Sequence, residues 1–310
     1  MENFAVKFLA LDRVPKILPL DLVETEQRQA DLLNRTILRA GVREHPLPRR
    51  HIQSLLEAIV RTCELMHLEV HEQVYESLAA ALNDRAVRHE HGHYVIGGRE
   101  VHFKVFGDSS ALVQNGSTGF LTWEAGKCLA WYLACVRKPS RVLELGCGTG
   151  VTGIIAAMFG VAKYVFTDYH GTTLENARAN WELNKAAITT SSEFKQLDFL
   201  AEDPCVDAGV IVGADVLYDD TLCRGLVRFL EAPGCKYEEA LIMSTIRTES
   251  TYKVFKDSLR ESSVLESECV FKLQFSAWCG LPDDSNWRHF LSSATSPFDP
   301  VIELIRIRRK

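Results

Sequence analysis

Val-Leu-Glu-Leu-Gly-Cys-Gly-Thr-Gly, residues 142–150, is an apolar run that leads directly into a glycine-rich turn. A helical pattern follows it. Glycines are needed where the backbone turns sharply and where a ligand must approach without a Cβ in its way. The stretch therefore predicts a strand, a turn and a helix, with a ligand site at the carboxyl end of the strand.

The chain beyond Pro139 repeats this alternation of strand-like and helical segments. The strand-like runs are RVLEL (141–145), KYVFTD (163–168), DAGVIVGA (207–214) and EEALIMST (238–245). Such alternation predicts an α/β fold with a parallel sheet and helices on both of its faces. The run VIELIRIRR (301–309) also alternates and predicts a last, edge strand.

The first 90 residues show a helical pattern of apolar residues instead of alternating strand-like and helical segments. Helical spacing predicts one helix over residues 22–40, a second over 51–67, and a third over 72–82 with Val74, Leu78 and Leu82 on its apolar face. After them, YVIGGREVHFKVF (94–106) alternates around two glycines, which predicts a β-hairpin. We therefore expect a helical region over residues 1–90 and a second domain over 91–310.

The composition excludes several classes of protein. The chain has 310 residues, 46% of them hydrophobic, and a net charge of −6. These values are typical of a globular protein, and the negative charge argues against direct nucleic-acid binding. No apolar run approaches the ~18 residues of a membrane span. Nine cysteines without a C-x-x-C pair predict reduced thiols and a cytoplasmic location.

Two classes of ligand use such a glycine turn. Residues 148–153 fit the G-x-G-x-x-G pattern of dinucleotide sites, where a helix N-terminus faces pyrophosphate. Glu144, however, lies two residues before Gly146, and an acid there suits a cationic ligand. S-adenosylmethionine (SAM) carries an ammonium and a sulfonium and no phosphate. The sequence therefore favours SAM over NAD, and a methyltransferase over an oxidoreductase.

Acidic side chains end the next two predicted strands. Asp168 follows the glycines by about twenty residues, where a carboxylate can accept both ribose hydroxyls. Asp198 and Phe199 come after the third strand, where an acid can accept from the adenine amino group and an aromatic ring can cover the base. The alternative for Asp198 is that it only caps a turn.

The fourth strand leads into Asp215 and Tyr218, at the edge where a transferred methyl should lie. Methyl transfer is an in-line displacement, so an enzyme contributes mainly alignment and electrostatics. If the acceptor is a lysine, a carboxylate and an aromatic ring can orient its nitrogen and stabilise the charge that forms there. The alternative is a helix-capping aspartate and a core tyrosine.

These motifs resemble those of a known family. The order E-L-G-C-G-T-G resembles motif I of the class I SAM-dependent methyltransferases, and residues 213–218 (GADVLY) resemble the acid-x-x-Tyr motif of the seven-β-strand, family 16 protein-lysine methyltransferases. Residues 116–124 resemble that family's Thr-Gly-x-x-x-Trp segment. Residues 45–83 are similar to the helical extension of the eukaryotic elongation factor 2 lysine methyltransferases.

The resemblance implies a seven-stranded, Rossmann-like class I methyltransferase sheet with a helical N-terminal extension that recognises the substrate. It also implies SAM as the methyl donor and trimethylation of one lysine of elongation factor 2. The residues that it assigns to SAM are Trp123, Gly146, Cys147, Gly148, Asp168, Asp198, Phe199 and Ala214. Glu144 joins them from the charge argument, while Asp215 and Tyr218 are the catalytic candidates.

Other interpretations stay open at this point. A small-molecule methyltransferase and a catalytically silent SAM-fold interaction protein would share most of these motifs. His-Glu-His-Gly-His, residues 89–93, formally matches the metalloprotease pattern H-E-x-x-H. That pattern works only on a continuous helix, and Gly92 followed by strand-like sequence argues against one. We therefore expect a solvated histidine-rich linker and no metal site.

Overall fold

The structure, a computed structural model, describes residues 1–84, 90–105, 119–201, 205–293 and 299–310. Its helices are α1 Glu2–Leu9, α2 Glu26–Arg35, α3 Ala40–Glu44, α4 Arg49–Leu65, α5 Glu72–Asn83, α6 Glu124–Trp131, α7 Val151–Met158, α8 Gly171–Asn184, α9 Asp220–Glu231, α10 Glu249–Glu261, α11 Phe275–Gly280 and α12 Ser285–Ser292. Its strands are β1 Glu90–Ile96, β2 Arg99–Val105, β3 Arg141–Leu145, β4 Lys163–Asp168, β5 Ser191–Gln196, β6 Val206–Asp207, β7 Val210–Ala214, β8 Cys235–Lys236, β9 Glu239–Ile246, β10 Leu265–Gln274 and β11 Val301–Arg309.

The chain divides into two compact units. One comprises Met1–Ser109 with Asp284–Ser293, and the other comprises Ser110–Asp283 with Ala294–Lys310. The division differs from the boundary that we expected at residue 90, because the hairpin β1–β2 and the distant helix α12 group with the N-terminal helices. The substrate-recognition role of residues 1–90 stays a prediction. No helix in the described ranges has the length and hydrophobicity that crossing a membrane requires.

The helical unit is built around the apolar faces of α1, α2, α4 and α5. Their buried leucines, isoleucines and valines form one continuous core that also reaches Val95 of β1. The single helix expected over residues 22–40 is interrupted: α2 ends at Arg35, and the backbone of Thr36, with φ −118° and ψ −99°, is no longer helical. On α5, Val74 is buried as expected, but Leu82 is 58% exposed.

The predicted β-hairpin is present. Gly97 and Gly98, with φ angles of 52° and 76°, form its two-residue turn, and this left-handed backbone is the one that such hairpins require. The expectation of a solvated linker was wrong for residues 90–93, which belong to β1, and both His91 and His93 are buried. A metalloprotease helix is excluded there for the same reason. His89 lies outside the described residues.

The second unit contains a seven-stranded sheet, as predicted. Its strand order is β10-β11-β9-β7-β3-β4-β5, with β3, β4, β5, β7 and β9 parallel and β11 antiparallel to both of its neighbours. The order reverses between β3 and β7, which places a crevice at the carboxyl ends of these strands. This α/β topology confirms the predicted fold class.

The position of the final strand differs from the prediction. The run 301–309 forms β11, which lies between β9 and β10 instead of at the edge. Its side chains at Ile302, Leu304 and Ile305 are buried, whereas most of β10 is exposed. The edge strand is thus β10, whose polar sequence gives no clear strand periodicity.

Candidate active site

A cavity of about 690 Å³ lies at the carboxyl ends of the parallel strands, within the second unit. Its size is that of a pocket for a cofactor-sized ligand. Every site residue that the sequence analysis named lines it: Trp123, Glu144, Gly146, Cys147, Gly148, Asp168, Asp198, Phe199, Ala214, Asp215 and Tyr218. The structure therefore brings together residues that are up to 95 positions apart in the chain.

The glycine turn forms one wall of this cavity. Gly146, Gly148 and Gly150 have φ angles of 63°, 54° and 76°, a conformation that strains any residue with a Cβ. A Cβ on Gly148 would also lie 3.2 Å from the carbonyl oxygen of Gly119. The glycines are therefore required both by the backbone conformation and by the close packing of the turn.

Glu144 lies at the end of β3, lines the cavity and is only 2% exposed. Its Oε2 atom has no hydrogen-bond partner. Burial raises the pKa of this carboxyl to about 8, although the nearby hydroxyls of Tyr164 and Thr152 oppose the shift. A buried carboxylate oxygen without a partner is costly, so the site is suited to a ligand that brings a cationic donor.

Asp168 lies at the end of β4, next to the glycine turn. Its carboxylate accepts hydrogen bonds from the backbone N–H groups of Gly148, at 3.1 Å, and of His170, at 3.0 Å. Burial raises the pKa of the carboxyl, while these two hydrogen bonds lower it. Each oxygen keeps a further lone pair, so the carboxylate can still accept hydroxyl donors from a ligand.

Asp198 and Phe199 follow β5 on the far wall of the cavity. The Asp198 carboxylate accepts the backbone N–H of Leu200 at 2.8 Å, which is the turn-capping contact that was considered as an alternative. The same residue lines the cavity, so the capping contact and a ligand contact are compatible. The Phe199 ring packs edge-on near Phe229 and is partly buried.

Asp215 has a left-handed backbone, with a φ of 53°. Its carboxylate accepts from the backbone N–H and from the hydroxyl of Thr245, at 2.7 and 2.9 Å. Burial raises its pKa, whereas Arg247, 3.6 Å away, and Thr245 lower it. Asp215 thus combines a strained backbone with a carboxylate that its hydrogen bonds hold in a fixed orientation at the cavity wall.

Arg247 is the residue that sequence reasoning missed. Its guanidinium contacts the buried carboxylate of Glu124 at 3.3 Å and lies 4.8 Å from the ring centroid of Trp123. It thus joins Asp215 to the tryptophan of the cavity wall. The only sequence signal is its place just after β9, because its partners are more than 30 positions away in the chain.

Tyr218 lies at the mouth of the cavity, and its side chain is 72% exposed. A core position, the alternative considered from the sequence, is therefore wrong for this ring. Trp123 is half-buried at the start of α6. The family-like segment before it begins at Gly116, and residues 116–118 fall outside the described part of the chain.

The cavity fits SAM by its donor set. Glu144 supplies a buried, unpartnered carboxylate oxygen for a cation, and Asp168 supplies acceptors for hydroxyl groups. The left-handed glycines leave room for a ligand against the backbone. Aromatic rings at Trp123 and Phe199 provide flat apolar surface. Among the described residues that line the cavity, none is a lysine or an arginine that pyrophosphate would attract.

Comparisons with known proteins agree with this geometry. Residues 111–261 match the model of a family described as lysine methyltransferase. Over 294 residues the chain is 27% identical to the protein-lysine N-methyltransferase EEF2KMT of Homo sapiens, covering 85% of this chain and 88% of that protein. It is 29% identical over 197 residues to the protein-lysine N-methyltransferase EFM3 of Saccharomyces cerevisiae, covering 55% and 56%.

Solved structures with an overlapping fold include a ribosomal protein L11 methylase of Lactobacillus delbrueckii subsp. bulgaricus. It is 16% identical, with a TM-score of 0.39, and the match covers 59% of this chain and 77% of that one. A dimethyladenosine transferase of Plasmodium falciparum overlaps with the same TM-score at 15% identity, covering 59% and 61%.

The seven-stranded sheet and its cavity define a class I methyltransferase that uses SAM as methyl donor. Residues 111–261 match the lysine methyltransferase model, and the chain is a SAM-dependent protein-lysine N-methyltransferase. The predicted family, the predicted enzyme class and the predicted methyl donor are thereby confirmed.

Proposed function

We propose that this protein-lysine methyltransferase methylates a lysine of elongation factor 2. The observation that carries the proposal is its similarity to EEF2KMT, which extends over 85% of this chain and 88% of the human protein. Because 85% of the chain is more than the second unit alone, the matched residues extend into the helical unit. The resemblance of residues 45–83 to the helical extension of elongation factor 2 lysine methyltransferases supports the same substrate.

We assign the walls of the cavity to parts of SAM, which supplies an activated methyl group when bound. Glu144 pairs with the cationic end of the donor, and Asp168 accepts the ribose hydroxyls. Asp198 and Phe199 hold the adenine, and Trp123 packs along the ligand. Gly146, Cys147, Gly148 and Ala214 provide close backbone contacts. This assignment is supported by the shared cavity and by the unpartnered oxygen of Glu144.

Asp215 and Tyr218 act on the acceptor lysine. A lysine has an ordinary pKa of about 10.4, so it must lose a proton before it can attack the methyl. A cationic donor nearby and removal from water both favour the neutral amine. Asp215, fixed by Thr245 and Arg247, orients the nitrogen, and the exposed Tyr218 ring lies where a side chain would enter.

The helical unit provides the docking surface for the protein substrate. Tyr75, Ala79 and Leu82 follow one another at helical spacing on α5, and all three are exposed. An exposed apolar stripe of this kind is typical of a surface that contacts another protein. A cytoplasmic reaction suits the cysteines, none of which forms a disulfide in the described chain.

The test is methylation of purified elongation factor 2, isolated from cells that lack their own enzyme, with tritiated SAM. We expect label on one lysine with the wild-type enzyme. The same result is expected with the control Asp283→Asn, which removes an exposed carboxyl that does not line the cavity. We expect at least a tenfold loss with Asp168→Ala, because a ligand hydroxyl would lose its charged acceptor, worth about 1.5–3 kcal/mol.

The alternatives give distinct results in a total extract. Label on a different protein would retain the lysine methyltransferase and reject elongation factor 2. Label only in the small-molecule fraction would reject a protein substrate altogether. Binding of SAM in calorimetry without any label would indicate a catalytically silent protein.

A further inference from the structure

The hairpin of the helical unit carries an unusual concentration of imidazoles on one face. His93 of β1 and His102 of β2 are direct cross-strand partners, and Glu100 lies two residues from His102, on the same face. His91 precedes His93 by two residues, and His45 reaches the same group from the end of α3. None of these residues lines the SAM cavity or takes part in the transfer of a methyl group to lysine.

The donor atoms of three of them are already close together. One ligand atom each from His93, Glu100 and His102 lies within 4.8 Å of the other two. The Nδ1 atoms of His93 and His102 are 2.9 Å apart. Two nitrogens on a tetrahedral zinc with bonds of about 2.0–2.1 Å lie about 3.3 Å apart. An ion therefore needs a small opening of this pair and the shift of the proton that they share from His102 Nδ1 to the other nitrogen of that ring.

The surroundings orient these donors. His93 Nε2 lies 2.7 Å from the carbonyl oxygen of His45. Because a carbonyl only accepts, His93 must carry its proton on Nε2, which leaves the Nδ1 lone pair directed at His102. An imidazole held by a backbone carbonyl through its other nitrogen is the usual arrangement of a metal-binding histidine. His93 is fully buried, so packing also fixes its position.

The carboxylate is positioned in the same way. Arg39 Nε donates to Glu100 Oε1 at 2.5 Å. The second oxygen, Oε2, lies against Gly41, where any Cβ would collide with it. Ligating carboxylates are commonly held by such a hydrogen bond on one oxygen. Gly41 thus gives Glu100 and His102 room to approach the end of α3.

We propose that His93, His102 and Glu100 bind a zinc ion, which links the two strands of the hairpin in the helical unit. Two imidazoles and a carboxylate are ordinary zinc ligands. The His45 imidazole is a further donor beside them, since its ring centroid is 4.6 Å from that of His102. The site is structural, because it belongs to the unit that lacks the SAM cavity.

The test uses the full-length protein without a histidine tag, stripped with a chelator and titrated with zinc chloride by calorimetry. We expect one equivalent to bind to the wild type. His102→Gln and Glu100→Gln should each weaken binding at least tenfold. His67→Asn is the matched control, because His67 is exposed, has a φ of 55° that asparagine tolerates, and lies outside the cluster.

Cobalt provides a second readout that does not depend on activity. Bound Co²⁺ should give the visible absorption of a tetrahedral nitrogen and oxygen site, without the thiolate charge-transfer band that a cysteine site would add. Zinc should also raise the Tm of the wild type and of His67→Asn, but not that of His102→Gln. Circular dichroism shows whether each variant is folded, and His45→Gln replaces any variant that is not.

The proposal is overturned if the wild type binds zinc no more tightly than the His102→Gln variant does. A thiolate band with cobalt, or equal binding by all folded variants, would also reject it, since the ion would then lie elsewhere.

Discussion

Glu144 couples ligand binding to protonation, because its carboxyl is buried in the protein and the residue lines the cavity. With a pKa of about 8, against an ordinary 4.5, it is protonated at neutral pH. Its contribution to stability is fully present below the ordinary pKa and is lost as the pH rises through about 8. A cationic ligand would reverse this preference and favour the carboxylate.

We therefore expect SAM binding at pH 7 to release close to one proton. Calorimetry in two buffers of different ionisation enthalpy measures this number directly. The Glu144→Gln variant has no carboxyl to lose this proton, so its SAM binding should release almost no protons. It should also bind SAM at least tenfold more weakly, through loss of a charged contact worth about 1.5–3 kcal/mol. As the pH rises from 4.5 to 8, the Tm of the wild type should fall more than that of the variant. Equal proton release by both proteins would contradict this account.

How far the sequence predicts the site depends on the kind of residue. Glu144 and Asp168 follow apolar strands at fixed spacing from the glycines, and their positions in the cavity could be predicted from that pattern. Arg247 could not, because its role comes from contacts with Glu124 and Asp215 that only the folded sheet creates. Spacing along the chain predicts which residues end the strands, but it does not predict which distant side chains contact them in the folded protein.

At the level of elements, the glycine turn between β3 and α7 combines backbone strain with close packing. Gly148→Ala should lower the free energy of unfolding by about 1–2 kcal/mol, the cost of a Cβ in the left-handed region. Its Cβ would also approach Gly119, so SAM affinity should fall as well. Chemical denaturation and SAM calorimetry measure the two effects.

Gly171→Ala is the matched control for that prediction. Gly171 begins α8, has no positive φ, and a Cβ there would meet nothing closer than 3.8 Å. We expect this variant to be neutral or slightly stabilising, by up to about 1 kcal/mol, because alanine favours the helix. If both variants lost the same stability, the turn would not be the cause.

The predictions of whole elements succeeded where burial gives a regular pattern. The parallel strands β3, β4 and β9 lie where their apolar runs predicted them. The edge strand was assigned wrongly, because β11 is buried among neighbours while β10 is polar and exposed. The position of a strand in the sheet depends on how the chain connects the strands, and the hydrophobic periodicity of the sequence does not encode these connections.

For the whole molecule, the separate helical unit predicts that substrate affinity and SAM affinity can be changed independently. Combined Tyr75→Ala and Leu82→Ala substitutions remove two exposed apolar side chains from α5. We expect the KM for elongation factor 2 to rise about tenfold, with the Tm and the SAM affinity unchanged, because neither side chain supports the core. Steady-state kinetics and calorimetry measure these values.

Val264→Ala provides the comparison, since it shortens an exposed apolar side chain of the other unit. Its KM for the protein substrate should equal that of the wild type. An unchanged KM in the α5 variant would mean that the substrate is recognised elsewhere.

The insertion of β11 between β9 and β10 has a consequence for synthesis on the ribosome. β10 emerges before β11, yet among the described strands β10 pairs with β11 alone. Until residues 301–309 emerge, β9 presents an open apolar edge, and β10 has no strand to join. We therefore expect the nascent chain to need chaperones at this stage, and late stop codons before residue 301 to yield aggregated protein.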